Sequence, residues 1–474
     1  MIAVNFMEVG MPILPVPPED FTITVPVVVI GGGACGLTAA LSARDAGAEV
    51  LILEQDSTPM GTTSMSQGTM CAAGTQAQKR AGIVDCPEQF FDDVMAKVNG
   101  RTDPNLVRLV TREAGPTIDW LDLDKGIPFE VDKSWKGLGH SIQRLHAPPE
   151  KTGSDLMGRL LQAVESAGAD LLTDARVIDL FADSDSRVHG VRVTRPDGTT
   201  EDVGCHSLIL ATCGFANNSD MIAEFIPEMA GAHVFTWENS RGDGIRWGIE
   251  LGAETLDMSA FQGYGALAHP QELLFNYNYV IDGGVMVNRE GFRFSDEVAD
   301  VSGQGVKVMQ QPDSLAYMIY DEELHSRYKH LHETRQALEV GAVKSGSTAI
   351  ALCDALGLPV EAVETVLRDV EEAKAGKSRD KWGRDFSGTR SLQPPYYGVQ
   401  VTGAIYHTQG GLTVNDNANV KRAGGGLLPN LFAGGGVARG MTGPTCSGYM
   451  PAAGICMAMT LGRLAGRGAA QLVA

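Results

Sequence analysis

At 474 residues the chain is too long for one compact core, so two domains are expected, and its 57 glycines with 6% aromatics suit a loop-rich α/β protein. A formal net charge of −20 argues against nucleic acid and anionic membrane surfaces as partners, though a local site can still hold a small anion. No run reaches the roughly 18 to 20 apolar residues of a membrane span.

The first 24 residues lack the basic start and small-residue cleavage site of a signal peptide. The eight cysteines form no CxxC or CxxCH, which argues against attached haem and a zinc site, so no metal is expected and a cytoplasmic setting is. The first clear element is the apolar run Val27–Ile30, which leads into GGGACG and then LTAALSARDAGAEVLILEQ. This predicts strand, glycine turn, helix, strand. Gly31, Gly33 and Gly36 give the spacing GxGxxG around Ala34 and Cys35, and Glu54, followed by Gln55, closes the second strand. Such glycines let the backbone approach a pyrophosphate at the helix N-terminus, and the acidic residue accepts from ribose hydroxyls. The motif alone does not separate NAD from FAD.

Next comes TTSMSQGTMCAAGT, whose Thr62, Thr63, Ser64, Ser66, Gly68 and Thr69 are placed to line a pyrophosphate and a flavin edge. Helical spacing follows around Phe90 to Trp120, and strands are predicted at Val191–Thr194 and Ser207–Thr212 on either side of a PDG turn. SLILATCGFANN puts Ala211, Thr212 and Gly214 at a strand end. From about 224 to 384 the character changes: a helix opens in GDGIRWG, VMVN reads as a strand, and Asp321–Glu372 is helical and charged. Strands and glycines return after PPYYG, with HTQGG (His407, Gly410, Gly411), a third glycine turn at Gly435–Gly436, and a long helix opening at Ala452–Ala453. The expected architecture is α/β (α+β): a Rossmann-like nucleotide-binding domain, 1–223 and 385–474, interrupted by a substrate or capping domain, 224–384.

Together with GDGIRWGIELGA, VNREGFRF and the terminal LGRLAG, these pieces resemble the flavoprotein subunits of soluble fumarate reductases and the 3-ketosteroid dehydrogenases, from Val27 to Gly466. The resemblance implies FAD as cofactor, with Val177 and Asp243 joining the glycine-turn and hydroxyl residues as its contacts. Membrane-bound members of that family tether flavin through a histidine whose place is held here by Thr62, so the implied FAD is non-covalent. A glutamate often found in the family's third glycine turn is Gly436 here.

For the substrate, the resemblance implies losses and survivals. The family's proton-donating arginine falls on Val301, its proton relay near Tyr277 and Val280, and its carboxylate-clamping arginine on Cys446. Two ionised carboxylates would then lack charge partners, which counts against fumarate or succinate. His407 sits where reductases bind a substrate oxygen, and His269 resembles a second substrate histidine at a shorter spacing. Tyr449 lies at nearly the offset of the tyrosine that donates to the ketone oxygen in ketosteroid dehydrogenases, with the Gly454 amide as a second donor. Asp300 and Val301 hold the place of the family's base tyrosine, leaving Tyr277, Tyr279 and Tyr264 as candidates for the base. Each has a plainer role available as a packing residue. The leading expectation is a dehydrogenase acting α,β to a small-molecule carbonyl, catalytic through Tyr449, His407 and Tyr277, with an unidentified electron acceptor or donor. An ene-reductase of an unsaturated monocarboxylic acid is the second reading, and an FAD protein serving a macromolecular partner the third.

Overall fold

The computed structural model describes residues 13–474; the signal-peptide expectation for the first 24 residues falls in part on residues 1–12, which lie outside the described residues. The chain divides into two units, one of residues 1–221, 236–261 and 407–474 and another of 222–235 and 262–406.

The first unit is organised by a parallel sheet whose strands are short apolar runs. In chain order they are β1 (Ile23–Ile30), β2 (Val50–Leu53), β3 (Asp170–Leu172), β4 (Thr200–Leu210) and β5 (Leu427–Ala433), in the spatial order β5-β4-β1-β2-β3. Registers such as Leu210 with Ile30, Ile30 with Leu53 and Leu53 with Leu172 bring the carboxyl ends to one edge. Val27, Val28 and Val29 are 0% exposed, the full-length apolar pattern of a strand covered on both faces. Each such side chain contributes about 1.5–3 kcal/mol of burial. Antiparallel strands Arg176–Ala182 and Val188–Thr194 extend the sheet from the first half of β4.

Two helices pack on this sheet, α1 (Ala34–Asp45) after the first glycine turn and α3 (Ala453–Val473) at the end of the chain, while α2 (Asp243–Glu250) follows Gly242. Helix α3 lies on α1 through glycines one turn apart: a Cβ on Gly462 would come 2.4 Å from the Cys35 carbonyl oxygen, and one on Gly466 2.0 Å from that of Ala39. The terminal LGRLAG is therefore a packing seam.

The second unit carries a seven-stranded sheet, with Leu273–Leu274, Phe261–Ala268, Tyr396–Thr408, Leu315–Asp321 and Val285–Asn288 in spatial order. The long strand Tyr396–Thr408 pairs antiparallel with Leu315–Asp321 from Tyr396 to Thr402 before the chain returns to the first unit at His407. The expected boundary at 384/385 therefore moves to 406/407, because PPYYG opens a strand of the second sheet. The charged stretch expected to be helical is broken into several helices by a strand at Val343–Gly346. Arg293 and Glu297 of the RFSDE element form a buried ion-pair bracket with Asp380 and Arg384. Among the described residues, no helix is long and apolar enough to cross a membrane.

Candidate active site

The strand ends of the first unit open into a cleft whose empty space, open mouth included, is about 920 Å³. Gly31, Gly33, Ala34 and Cys35 form one wall, reaching it from the turn after β1. Gly31 has φ +106°, which only glycine adopts readily, and a Cβ on Gly36 would come 1.9 Å from the Gly31 carbonyl oxygen. Helix α1 starts at Gly33, which offers no side-chain cap; the Ala34 amide donates to Thr63 Oγ1 at a long 3.4 Å, and the amides that follow it remain available to an anion. A Cβ on Gly33 would meet no protein atom nearer than 4.0 Å. Glu54, at the end of β2, accepts from the amides of Gly32 (2.6 Å) and Asp56 (3.0 Å). Burial raises its pKa while those amides hold it down.

Opposite stand Val177, Ala211, Thr212, Asp243, Gly435 and Gly436. Two polar groups lining the cleft, Thr212 Oγ1 and Trp247 Nε1, are buried without a partner among the described residues. Buried donors left open in this way await a ligand atom. The uncapped helix start, the Glu54 carboxylate and the two open donors fit a dinucleotide. Burial pushes the Cys35 thiol up to about 12, so it packs as a small apolar group.

Thr62, Thr63 and Gln55 also line the cleft. The others expected with them build its frame: Ser66 Oγ donates to the Thr63 carbonyl and accepts from the Gly68 amide, Ser64 Oγ donates to Gly61, and Thr69 Oγ1 to Gln67. Gly214 lies against Thr408 and Gly410 against Asp257, where a side chain would collide, and Gly411 packs on Val437. Gly36 and Ala452 likewise stand outside the lining.

Sequence reasoning missed a strap. Trp237 Nε1 and Asn239 Nδ2 donate to the two oxygens of Asp56, at 2.6 and 2.8 Å, and Thr62 Oγ1 meets Thr236 Oγ1 at 3.0 Å and the Trp237 amide at 3.3 Å. Trp237, Asn239 and Ser240 thereby line the cleft. The signal was Asp56, an acid two residues past the strand-ending Glu54.

Gly435 and Gly436 also line a second, smaller cavity, whose empty space with its open mouth is about 330 Å³, with His407, Thr408, Gln409, Ala453, Gly454 and Met457. The nucleotide cleft and this cavity thus meet at the third glycine turn. His407 is the one titratable side chain lining it. Burial lowers its pKa, so it is neutral near pH 7. Its Nδ1 lies 3.3 Å from the Thr408 carbonyl oxygen, which fixes the proton there and leaves Nε2 as an acceptor near Gly454. Tyr449 stands edge-on to His407, ring centroids 6.0 Å apart at 73°. Burial raises the pKa of its phenol, keeping it protonated. Arg439, the nearest cation in sequence, is paired with Asp257 at 2.6 Å.

The remaining candidates lie in the second unit. Tyr277 is 5% exposed in that unit's core, and its hydroxyl donates to the Glu297 carbonyl at 2.8 Å. With burial also raising its pKa well above 10.0, its expected catalytic role gives way to a packing one. Tyr264 is similarly bound to the Phe275 carbonyl at 2.6 Å, and Tyr279 stacks between Phe275 and Tyr320. Asp300 caps the helix beginning at Val301. His269 faces His233, ring centroids 5.6 Å apart. Among the described residues no cluster could hold a metal ion.

Comparison with known proteins accounts for this arrangement. A family described as FAD binding domain matches residues 26–453. A probable fumarate reductase of Shewanella frigidimarina is 28% identical over 94% of this chain and 75% of its own. A urocanate reductase of Eggerthella lenta is 29% identical over 97% and 77%. Among solved structures, the 3-ketosteroid Δ4-(5α)-dehydrogenase of Rhodococcus jostii RHA1 superposes with a TM-score of 0.78 at 25% identity, covering 97% of this chain and 99% of that one. With the cofactor cleft and an adjoining cavity in the first unit, the chain belongs to the FAD binding domain family, within the fumarate reductase/succinate dehydrogenase flavoprotein superfamily, and is an FAD-dependent oxidoreductase acting on carbon–carbon bonds.

Proposed function

We propose that the protein moves hydrogen between FAD and the α,β carbon–carbon bond of a neutral, cyclic ketone of the ketosteroid type. The observation that carries this reading is the surroundings of the His407 imidazole: a protonated phenol, Tyr449, edge-on to the neutral ring, and no cation among the residues lining the cavity that His407 enters. Tyr449 donates to the ketone oxygen and stabilises the charge that develops there. Nε2 of His407 takes the acidified α-proton in the oxidative direction and returns it in the reductive one. The α3 N-terminus, with the Gly454 amide, adds a positive partial charge at the same place. FAD, held non-covalently by the glycine turns, Glu54 and the hydroxyls of Thr62 and Thr63, supplies the hydride-accepting and hydride-donating chemistry. The kinship with a ketosteroid dehydrogenase agrees with this choice.

A second reading has its own support, since sequence relatives carry the names of reductases of unsaturated acids. On that reading His407 holds the single carboxylate of an unsaturated acid. It then needs a proton on Nε2, because an acceptor facing a carboxylate repels it. The pH dependence separates the two. With cyclohexanone, 2-cyclohexen-1-one, 4-androstene-3,17-dione, urocanate and fumarate as probes, flavin oxidation and reduction are followed anaerobically from pH 5 to 8. The ketone reading expects ketones to reduce the flavin, faster as pH rises until His407 is neutral and level beyond. It also expects fumarate turnover far below the order of 10 s⁻¹ typical of an enzyme's own substrate. Acids that oxidise the reduced flavin, bound more tightly as pH falls, with ketones inert, would overturn it.

A further inference from the structure

We propose that His140, remote in sequence from every group above, is a positioning residue that sets the turn carrying Tyr449; the functional part of this inference rests on the ketone reading, the structural part does not. His140 is 3% exposed, and its Nε2 lies 3.0 Å from the carbonyl oxygen of Pro451, two residues after Tyr449 and one before the left-handed Ala452 (φ +67°) that opens α3. Its Nδ1 faces a guanidinium nitrogen of Arg144 at 3.4 Å.

These two neighbours decide the tautomer from opposite sides. A guanidinium has only donors, so Nδ1 must accept, and a carbonyl only accepts, so Nε2 must carry the proton. The ring is therefore neutral with Nε2–H pointing at Pro451, and burial, with Arg144 adding to it, lowers its pKa to about 4. Arg144 itself cannot shift. It is 0% exposed, makes two 3.0 Å bonds to the carboxylate of Asp85 and one to Asp93, and its guanidinium lies 4.7 Å over the Phe90 ring. Asp93 is held in turn by the amide and hydroxyl of Ser141, at 2.8 and 2.7 Å. A rigid chain of polar contacts thus runs from two buried carboxylates through Arg144 and His140 to the backbone of the Tyr449–Ala452 turn. Packing closes the same joint, since a Cβ on Gly137 would strike both the His140 ring and Pro451, at 2.9 and 3.2 Å. Replacing this polar chain by a loose one would let the phenol drift from the position its role requires.

The test uses two amide replacements that split the imidazole's functions. The Gln side chain reaches as far as Nε2 and can donate to Pro451; Asn reaches only as far as Nδ1, keeps an acceptor for Arg144 and loses the Pro451 bond. Protein labelled with 3-fluorotyrosine gives a ¹⁹F resonance for Tyr449, assigned by its absence in Tyr449→Phe. His140→Asn is expected to shift or broaden that resonance and His140→Gln to leave it, with melting temperature and FAD content near wild type in both. Flavin oxidation or reduction with the ketone and enone probes is expected to slow about tenfold to a hundredfold in His140→Asn, the cost of a small misplacement, and to recover in His140→Gln. In the Tyr449→Phe background the Asn substitution should cost nothing further. An unmoved Tyr449 resonance in His140→Asn overturns the proposal, as does an equal slowing in both backgrounds. A Tyr449→Phe enzyme at full speed sinks the ketone reading instead, while the resonance still decides whether His140 holds the turn.

Discussion

The cofactor cleft and the cavity beside it are built on opposite principles. The cleft is mostly backbone: glycines at strand ends, an uncapped helix start and one carboxylate, all set by a parallel sheet whose register brings Ile30, Leu53 and Leu210 level. The polar groups at the cavity are side chains on long-separated segments, His407 in its lining from the end of a strand and Tyr449 edge-on behind it from a turn, held by contacts such as His140 to Pro451. A backbone site tolerates sequence change if its glycines stay; a side-chain site changes chemistry with one residue. The same scaffold can therefore keep FAD and change substrate.

Substituting the cleft's glycines gives the largest expected effect and tests the contrast directly. Gly33→Val should fold, because no protein atom lies within 4.0 Å of the new Cβ, yet it should purify colourless because the side chain occupies the diphosphate's approach. Gly36→Val, by contrast, collides with the Gly31 carbonyl and should fail to fold, so a yellow Gly33→Val protein would refute the backbone account of the cleft. Nearly as large is the expected release of all FAD into the supernatant on acid precipitation, since Thr62, bound to Thr236 and Trp237, offers no covalent link; flavin left on the pellet counts against it.

At the cavity, Tyr449→Phe should retain FAD and slow the hydride step with a ketone roughly 10² to 10³-fold, about 2.7 to 4 kcal/mol, when measured by stopped flow at saturating substrate. His407→Ala should slow the same step and abolish its rise with pH. A wild-type rate in Tyr449→Phe with a dead His407→Ala would hand the site to the unsaturated-acid reading.

A separate effect touches stability and leaves the chemistry aside. His140 and His146 have pKa values lowered by burial from 6.5 to about 4, so the unfolded chain binds protons in that interval that the folded one refuses. Their contribution is complete above pH 6.5 and is lost as pH falls to 4, on the order of 3 kcal/mol each. Chemical denaturation across this range should show that fall, and His140→Gln, which does not titrate, should remove about half of it. A stability flat from pH 6.5 to 4 would contradict the burial of both rings.

What the sequence made legible follows from the same contrast. The first glycine turn, Glu54, Ala211–Thr212 and Gly435–Gly436 could be read because a backbone site leaves local spacing behind. Tyr277 was misjudged because position along the chain says nothing of what a hydroxyl bonds to, and here the Glu297 carbonyl satisfies it. Trp237 and Asn239 went unseen because their partner, Asp56, is distant in sequence and carries no motif. His140 was invisible for the same reason.

The strap also bears on how modular the chain is. Residues 236–261 belong to the first unit but are bounded on both sides by stretches of the second, so the polypeptide passes between units four times. A chimera with a relative, spliced at the ends of the middle segment as though it were a cassette, would exchange Trp237, Asn239, Asp243 and Trp247 along with the substrate domain. Asp56 would then face a foreign strap, and the recombinant could lose its flavin with every glycine of the nucleotide motif intact. Crossovers that respect the molecule must leave residues 236–261 with the sequence that supplies Asp56 and Thr62.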